Sequence, residues 1–167
     1  MRRRGIGRAQ PWTIEKVSFH KEISVFIGQL AFLTAAVFAG AALYVSAVEQ
    51  PARMGLDDQS LLIEWKPAYR RGTAMQAPLA IAGFVLGLAA WWQTGHVGWV
   101  IGAVLMIANW PLTYLAIMPT NKRAMAIEPA MAGPEVRAMI QKWGLLHTAR
   151  TALGVAACLV FLWASVA

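Results

Sequence analysis

Four long runs of apolar residues without charges divide the chain. A helix needs roughly 20 residues to cross a hydrocarbon core about 30 Å thick, and each run approaches that length. The second run has an uncharged core of only 77–92, so we extend it back to Pro67, since a first helical turn tolerates proline. Pro119 is expected to stop the third run. The pattern predicts transmembrane helices over about 23–48, 67–92, 97–118 and 145–166.

The connections between these runs are unequal in length. Residues 93–96 allow only a tight hairpin, and Trp91, Trp92 and Trp99 surround it like an interfacial aromatic belt. The connections 49–66 and 119–144 are long. In the first of them, Asp57 and Asp58 precede a short amphipathic stretch at 60–65, which predicts a capped interfacial helix.

The expected architecture follows from the need to pair every backbone polar group inside hydrocarbon. Four antiparallel helices satisfy that need most economically, so the sequence predicts an all-α integral membrane four-helix bundle in up-down-up-down order. Residues 1–22 then form a basic N-terminal segment, and 23–167 form a single four-helix domain. Both chain ends share one face with the hairpin, and both long connections share the other.

Composition supports a membrane protein and argues against two other classes. The chain of 167 residues is 58% hydrophobic and only 14% charged, whereas soluble domains carry about 25% charged residues. The net charge of +7 comes from Lys and Arg placed between apolar runs, which favours anionic lipid head groups over nucleic acid. The one cysteine, Cys158, can form neither an internal disulfide nor a cysteine-based metal site.

The N-terminus and the loop charges bear on targeting. The basic N-terminal segment resembles the start of a signal peptide. The first apolar run, however, is about twice as long as the apolar region of a signal peptide, and three more runs follow. We therefore expect a retained helix in the plasma (inner) membrane. Lys and Arg number six on the face of the chain ends and eight on the face of the long connections. The positive-inside rule therefore leaves the orientation open.

Polar residues inside predicted spans are functional candidates because they are costly there. At 1.5 Å per residue, the candidates Glu49, Asn109, Thr113, His147 and Arg150 fall roughly 0 to 15 Å inside the end of the bundle that carries the long connections. Their spacing predicts a half-buried polar pocket at that end, with Tyr69 at the start of the second span. The pairs that share a helix face are Glu49 with Arg53, Asn109 with Thr113, and His147 with Arg150.

Each candidate also has a structural interpretation. Glu49 is compatible with a solvated helix end, and Asn109 and Thr113 with hydrogen bonds that join neighbouring helices. His147 alone is compatible with a packed core histidine. Arg150 is the hardest to explain in this way, because a guanidinium never becomes neutral and must be paired or face a polar cavity.

Four short motifs occur in order over about residues 25–165. They are Glu49-x-Pro51-x-Arg53, Asn109-Trp110-Pro111-x-Thr113, Pro119-Thr120-Asn121-Lys122 and Trp143-Gly144-x-x-His147-x-x-Arg150. This ordered set resembles the anthrone-oxygenase-like family of small four-span membrane proteins. Characterised members oxygenate an anthrone to an anthraquinone with molecular oxygen. The resemblance implies the same scaffold first, and secondly such chemistry without a metal, flavin or nicotinamide cofactor.

An anthrone carbon between two aryl rings is acidic, so a base can convert it to an electron-rich anion that reduces oxygen. In this hypothesis His147 or Glu49 is the general base, and Arg150 with Asn109 stabilises the anionic oxygen. Tyr69 and Trp65 stack on a flat aromatic substrate that enters from the lipid. The remaining predicted binding residues are Thr113, Arg53 and Asn121.

Two other classes of function stay open at this stage. Glu49 and His147 are suitable donors for a transition metal, although no third ligand is evident. Alternatively, the chain is a non-enzymatic subunit of a larger membrane complex, a binder of quinone or lipid, or a homo-oligomer. That reading predicts co-purifying partners and tolerance of His147 substitution. A channel or transporter is less favoured, since the sequence has no inverted repeat and no ring of like charges.

Overall fold

The computed structural model describes the chain from Pro11 to Ala167, with the side chain of Ile23 and the side chains from Val25 onward. Arg2, Arg3, Arg4 and Arg8 of the basic N-terminal segment lie outside the described residues. Every regular element within 11–167 is helical. In chain order these elements are α1 (Pro11–Tyr44), a π-helical turn (Val45–Glu49), α2 (Gln50–Met54), α3 (Asp58–Thr94), α4 (Val97–Leu112), a second π-helical turn (Thr113–Ile117), α5 (Met118–Ala126), a 3-10 turn (Pro129–Met131) and α6 (Pro134–Val166).

The π turns join their neighbours without a break, so the described residues contain four long helical rods. Each rod is long and apolar enough to cross a membrane: Val25–Met54, Asp58–Thr94, Val97–Ala126 and Pro134–Val166. Helices α1 and α4 each pack against both α3 and α6. The predicted all-α bundle of four membrane-spanning helices is thereby confirmed, and the protein is a multi-pass membrane protein.

The predicted tight hairpin between the second and third spans is present. Gly95 ends α3 with φ +70°, a left-handed conformation that glycine adopts without a steric penalty, and its N–H donates to the Trp91 carbonyl. His96 then precedes the first turn of α4. The chain therefore reverses within two residues.

The predicted separate interfacial helix at 60–65 was wrong, because this stretch is the first part of α3. Asp57 caps α3 by accepting a hydrogen bond from the Ser60 N–H. Hydrogen bonds from the side chain and then the backbone of Ser60 hold the pKa of Asp57 below its ordinary value. Pro67 lies inside α3 instead of at its start. An interior proline costs about 3 kcal/mol, and burial of the apolar face that contains Leu61 and Trp65 offsets this cost.

The expected stop at Pro119 was also wrong, and the π turns explain why. In both, the N–H of the following residue bonds five residues back, from Gln50 to Val45 and from Met118 to Thr113. A proline comes next in each case, in the first turn of α2 or α5, where its missing N–H does little harm. The rods therefore continue through the prolines. Single π turns inside α-helices occur frequently at functional sites.

Two apolar clusters fill the bundle. The first contains Phe38, Met106 and Phe161, and its helices approach closely at glycines: a Cβ at Gly102 would clash with the Phe161 ring. The second, near the long connections, contains Leu61, Leu62, Trp65, Ile117, Ile140 and Trp143. Buried polar residues lie between the clusters, since the Arg150 guanidinium is over the Phe38 ring and the His147 ring packs on Trp143.

Candidate functional site

The polar layer between the two clusters contains most of the residues predicted for the site. Burying a polar group without a partner is costly, so such a layer must be satisfied internally or must serve a ligand. All four helical rods contribute to it. Its buried members are Gln50, Arg53, Gln76, Asn109, Asn121, His147, Arg150 and Thr151.

A cavity of about 370 Å³ lies along this layer. Its volume is within the roughly 300 to 1,000 Å³ usual for sites that bind small molecules. Carbon-rich side chains, among them Tyr44, Tyr69 and Trp143, form much of its wall. The structure brings six predicted site residues together here: Glu49, Arg53, Tyr69, Asn121, His147 and Arg150.

His147 is held in place by a chain of hydroxyl groups. Its Nδ1 lies 3.1 Å from Ser46 Oγ, which lies 2.9 Å from Thr151 Oγ1. Thr151 in turn donates to the Ala42 carbonyl oxygen at 3.1 Å. Because the carbonyl can only accept, the hydroxyl protons point along the chain toward it, and Ser46 Oγ accepts from the Nδ1–H. The neutral imidazole then keeps its free lone pair on Nε2.

Arg150 is a buried cation with incomplete pairing. Its Nη2 donates to Gln76 Oε1 at 3.1 Å, and its guanidinium carbon lies 5.8 Å from the centre of the Phe38 ring. Its Nε is buried without a hydrogen-bond partner. Within residues 25–167, no carboxylate forms an ion pair with it. A buried charge of this kind is stabilised by a bound anion.

Arg53, which lines the same cavity, differs from Arg150 in having carboxylates beside it. It forms the expected ion pair with Glu49, four residues earlier. Its Nε also lies 2.8 Å from Glu64 Oε2, close enough for an ion pair although the N–H is not aimed at that oxygen. The Glu49 carboxylate is thus already engaged. This arrangement favours His147 over Glu49 as the free base in the cavity.

Asn109 and Thr113 line a second, smaller cavity of about 150 Å³. Arg150 and Thr73 line both cavities and so mark their boundary. The Asn109 side-chain nitrogen donates to the carbonyl oxygens of Leu105 and Met106, and its Oδ1 has no partner. Asn109 therefore presents an acceptor, which differs from the donor role expected for an anion-stabilising group.

Trp65 lies behind the wall of the cavity of about 370 Å³, which we call the main cavity. It is completely buried, its ring stacks on Tyr69 with centres 5.0 Å apart, and the Trp143 ring packs against it at 89°. Tyr69 itself lines the cavity. In this structure Trp65 supports Tyr69, and a direct contact between Trp65 and a ligand would need Tyr69 to move.

Several residues at the site had no predicted catalytic or binding role. Gln76 and Trp143 line the main cavity, Ser46 contacts His147, and Glu64 pairs with Arg53. Gln76 had a weak signal, since it is polar at the edge of an uncharged run, and Trp143 belongs to one of the quoted motifs. Ser46 carries no such signal. Within the described residues, no three His, Cys, Asp or Glu side chains are grouped as a metal site would require.

Comparison with known proteins identifies the family of this chain. A family model described as anthrone oxygenase matches residues 65–160. An anthrone oxygenase of Aspergillus terreus (strain NIH 2624 / FGSC A1156) is 31% identical over 130 residues, which cover 72% of this chain and 87% of the relative. The chain belongs to the anthrone oxygenase family.

A second relative supports the same family membership. The anthrone oxygenase of Claviceps purpurea (strain 20.1) is 26% identical over 145 residues, covering 78% of this chain and 83% of the relative. No solved structure matches the chain. Among the cavity residues of this anthrone oxygenase family member, Tyr69, Asn121, His147 and Arg150 lie within the region that the family model matches, and Glu49 lies before it.

Proposed function

We propose that this anthrone oxygenase family member is a plasma-membrane enzyme that oxygenates a planar aromatic ketone with molecular oxygen. The substrate class is an anthrone: three fused rings with a ketone opposite a methylene group. The observation that carries the proposal is Arg150, a buried guanidinium without a carboxylate partner that lines a cavity together with a histidine. A cation so placed suits an anion that forms during the reaction.

The first step is removal of a proton from the methylene carbon. His147 Nε2 accepts this proton as the general base, while the Ser46 and Thr151 hydroxyls hold the other ring nitrogen. The negative charge moves to the ketone oxygen of the substrate. Arg150 Nε, buried and unpartnered, donates a hydrogen bond to that oxygen.

The remaining steps need only dioxygen. The substrate anion gives one electron to dioxygen, and the resulting radical and superoxide combine to form a carbon–oxygen bond. The peroxide takes the proton back from His147. His147 then removes the second hydrogen of the same carbon as a proton, the O–O bond breaks, and the leaving hydroxide takes up that proton. One substrate and one dioxygen thus give one quinone and one water, without an external reductant.

The wall of the main cavity suits such a substrate. The Tyr69 ring offers an aromatic surface for stacking on the fused rings. Asn121 is buried in the wall, and its Oδ1 has no partner. We propose that this oxygen accepts a hydrogen bond from a phenolic hydroxyl of the substrate, because an acceptor left unpaired in the free protein is satisfied on binding.

Turnover with isotopically labelled dioxygen tests this function. In membranes that contain the protein, a hydroxyanthrone under ¹⁸O₂ should give a quinone with one labelled oxygen, one labelled water and equal consumption of substrate and dioxygen. Membranes with Arg150→Leu are the control, because anthrones also oxidise slowly by themselves. Equal rates in the two preparations would contradict the proposal. Stoichiometric co-purification of other membrane proteins, unchanged by the substitution, would then favour an accessory subunit.

A further inference from the structure

The proposed binding of the aromatic substrate leaves the smaller cavity unused. It lies on the other side of Arg150 and is lined by Ala77, Asn109, Trp110, Thr113 and Tyr114, among others. We infer that this cavity is a dioxygen chamber: it receives dioxygen from the bilayer, passes it to the aromatic substrate across the boundary that Arg150 and Thr73 form, and holds the reduced oxygen that results. This inference rests on the proposed oxygenase function.

The size of the chamber limits what it can hold. Its volume is about 150 Å³, whereas sites for drug-sized ligands begin at about 300 Å³ and one water occupies about 30 Å³ of the liquid. A molecule of three fused rings is too large for it. Dioxygen and the products of its reduction fit.

The walls of the chamber favour an apolar gas. Most of the exposed wall area is carbon, and two lining side chains, Tyr114 and Trp110, are 70% and 46% exposed on the outer surface of the bundle. They belong to a rod that is long and apolar enough to cross the membrane. Dioxygen is more soluble in hydrocarbon than in water, so the bilayer is its richest nearby source. This route leaves the main cavity free for the aromatic substrate.

The polar groups of the chamber distinguish dioxygen from its products. Asn109 Oδ1 is a buried acceptor without a partner, and dioxygen has no hydrogen to donate to it. A hydroperoxide O–H or a water molecule does. The chamber therefore binds protonated, reduced oxygen more strongly than dioxygen, and such a difference favours the forward reaction. On the shared boundary, Arg150 offers its positive charge to superoxide.

Filling the chamber tests the inference through kinetics. Ala77→Leu places three extra carbons in it, and Ala74→Leu is the matched control, because Ala74 is an exposed alanine of α3 outside both cavities. We expect Ala77→Leu to raise the apparent KM for dioxygen several-fold and to leave the KM and anaerobic binding of the hydroxyanthrone unchanged. An unchanged KM for dioxygen would overturn the inference. So would loss of hydroxyanthrone binding in Ala77→Leu alone, since the chamber would then belong to the aromatic site.

A second measurement does not depend on turnover. Met118 lines the chamber, whereas Met131 is 78% exposed elsewhere. In protein with ¹³C-labelled methionine methyl groups, dissolved dioxygen, which is paramagnetic, should broaden the Met118 resonance relative to argon. Ala77→Leu should remove this broadening at Met118 and leave Met131 unchanged, and Ala74→Leu should alter neither. Equal broadening of Met118 in the wild type and Ala77→Leu would overturn the chamber. The expected broadening without any turnover would contradict the oxygenase function and leave the gas site standing.

Discussion

Replacement of Arg150 with leucine is expected to lower kcat/KM for a hydroxyanthrone by about 100-fold to 1,000-fold, the usual loss when one donor to a developing oxyanion is removed. The reason is that Arg150 is the buried cation at the boundary of the two cavities and has no carboxylate partner within residues 25–167. Dioxygen uptake by detergent-purified protein measures the effect. Arg123→Leu, which removes an exposed charge of α5, is the matched control and should keep wild-type activity.

Stability separates this loss of function from misfolding. Removing a buried charge that lacks a counterion should not destabilise the bundle, although Gln76 Oε1 then loses its donor. The double variant Arg150→Leu with Gln76→Leu removes that second defect as well. We expect its thermal unfolding temperature to equal or exceed that of the wild type while kcat/KM stays as low as in Arg150→Leu. Near-wild-type turnover in a well-folded Arg150→Leu protein would contradict the assigned role.

Replacement of His147 with alanine is expected to lower kcat by about 100-fold to 10,000-fold, the range typical of a lost general base. The substitution also leaves a space beside Trp143 with the size of an imidazole ring. Added imidazole should therefore restore part of the activity in His147→Ala, which a purely structural role would not allow. Turnover at several imidazole concentrations is the measurement.

The other histidine with a described side chain provides the control. His96 packs against Trp163 at the hairpin, among residues other than those lining the two cavities. His96→Ala should keep normal kcat and should not respond to imidazole. If His147→Ala retained full turnover, the base would have to be another group, and Glu49 would be the next candidate to substitute.

Local spacing predicted which polar side chains lie together on one helix face. Residues three or four apart share a helix face whatever the rest of the fold does, so the Glu49–Arg53 pair and the joint burial of His147 and Arg150 followed from the sequence. The rise of a helix per residue likewise indicated how far the polar layer lies from the end of the bundle that carries the long connections. Depth does not give rotation about the helix axis. For this reason the sequence did not reveal that Asn109 lines a different cavity from His147.

The parts that spacing missed depend on contacts between helices. Ser46 lies beside His147, and Gln76 beside Arg150, only because separate rods pack in one particular rotation. Pro67 and Pro119 are normally signs of a helix end, yet both rods continue past them. In the first case buried apolar packing outweighs the local preference, and in the second a π turn shifts the hydrogen bonds.

The central claim is that His147 and Arg150 together generate and hold a substrate anion before oxygen reacts. Anaerobic mixing of the purified protein with unsubstituted anthrone tests it most directly. This compound has no phenolic hydroxyl, so a new absorption band that matches the anion of anthrone in alkaline solution reports loss of its methylene proton. We expect the band in the wild type, its absence in His147→Ala, its weakening in Arg150→Leu, and its decay to quinone when dioxygen is admitted. Bound anthrone that stays neutral in the wild type, or an equally strong band in His147→Ala, would contradict the claim.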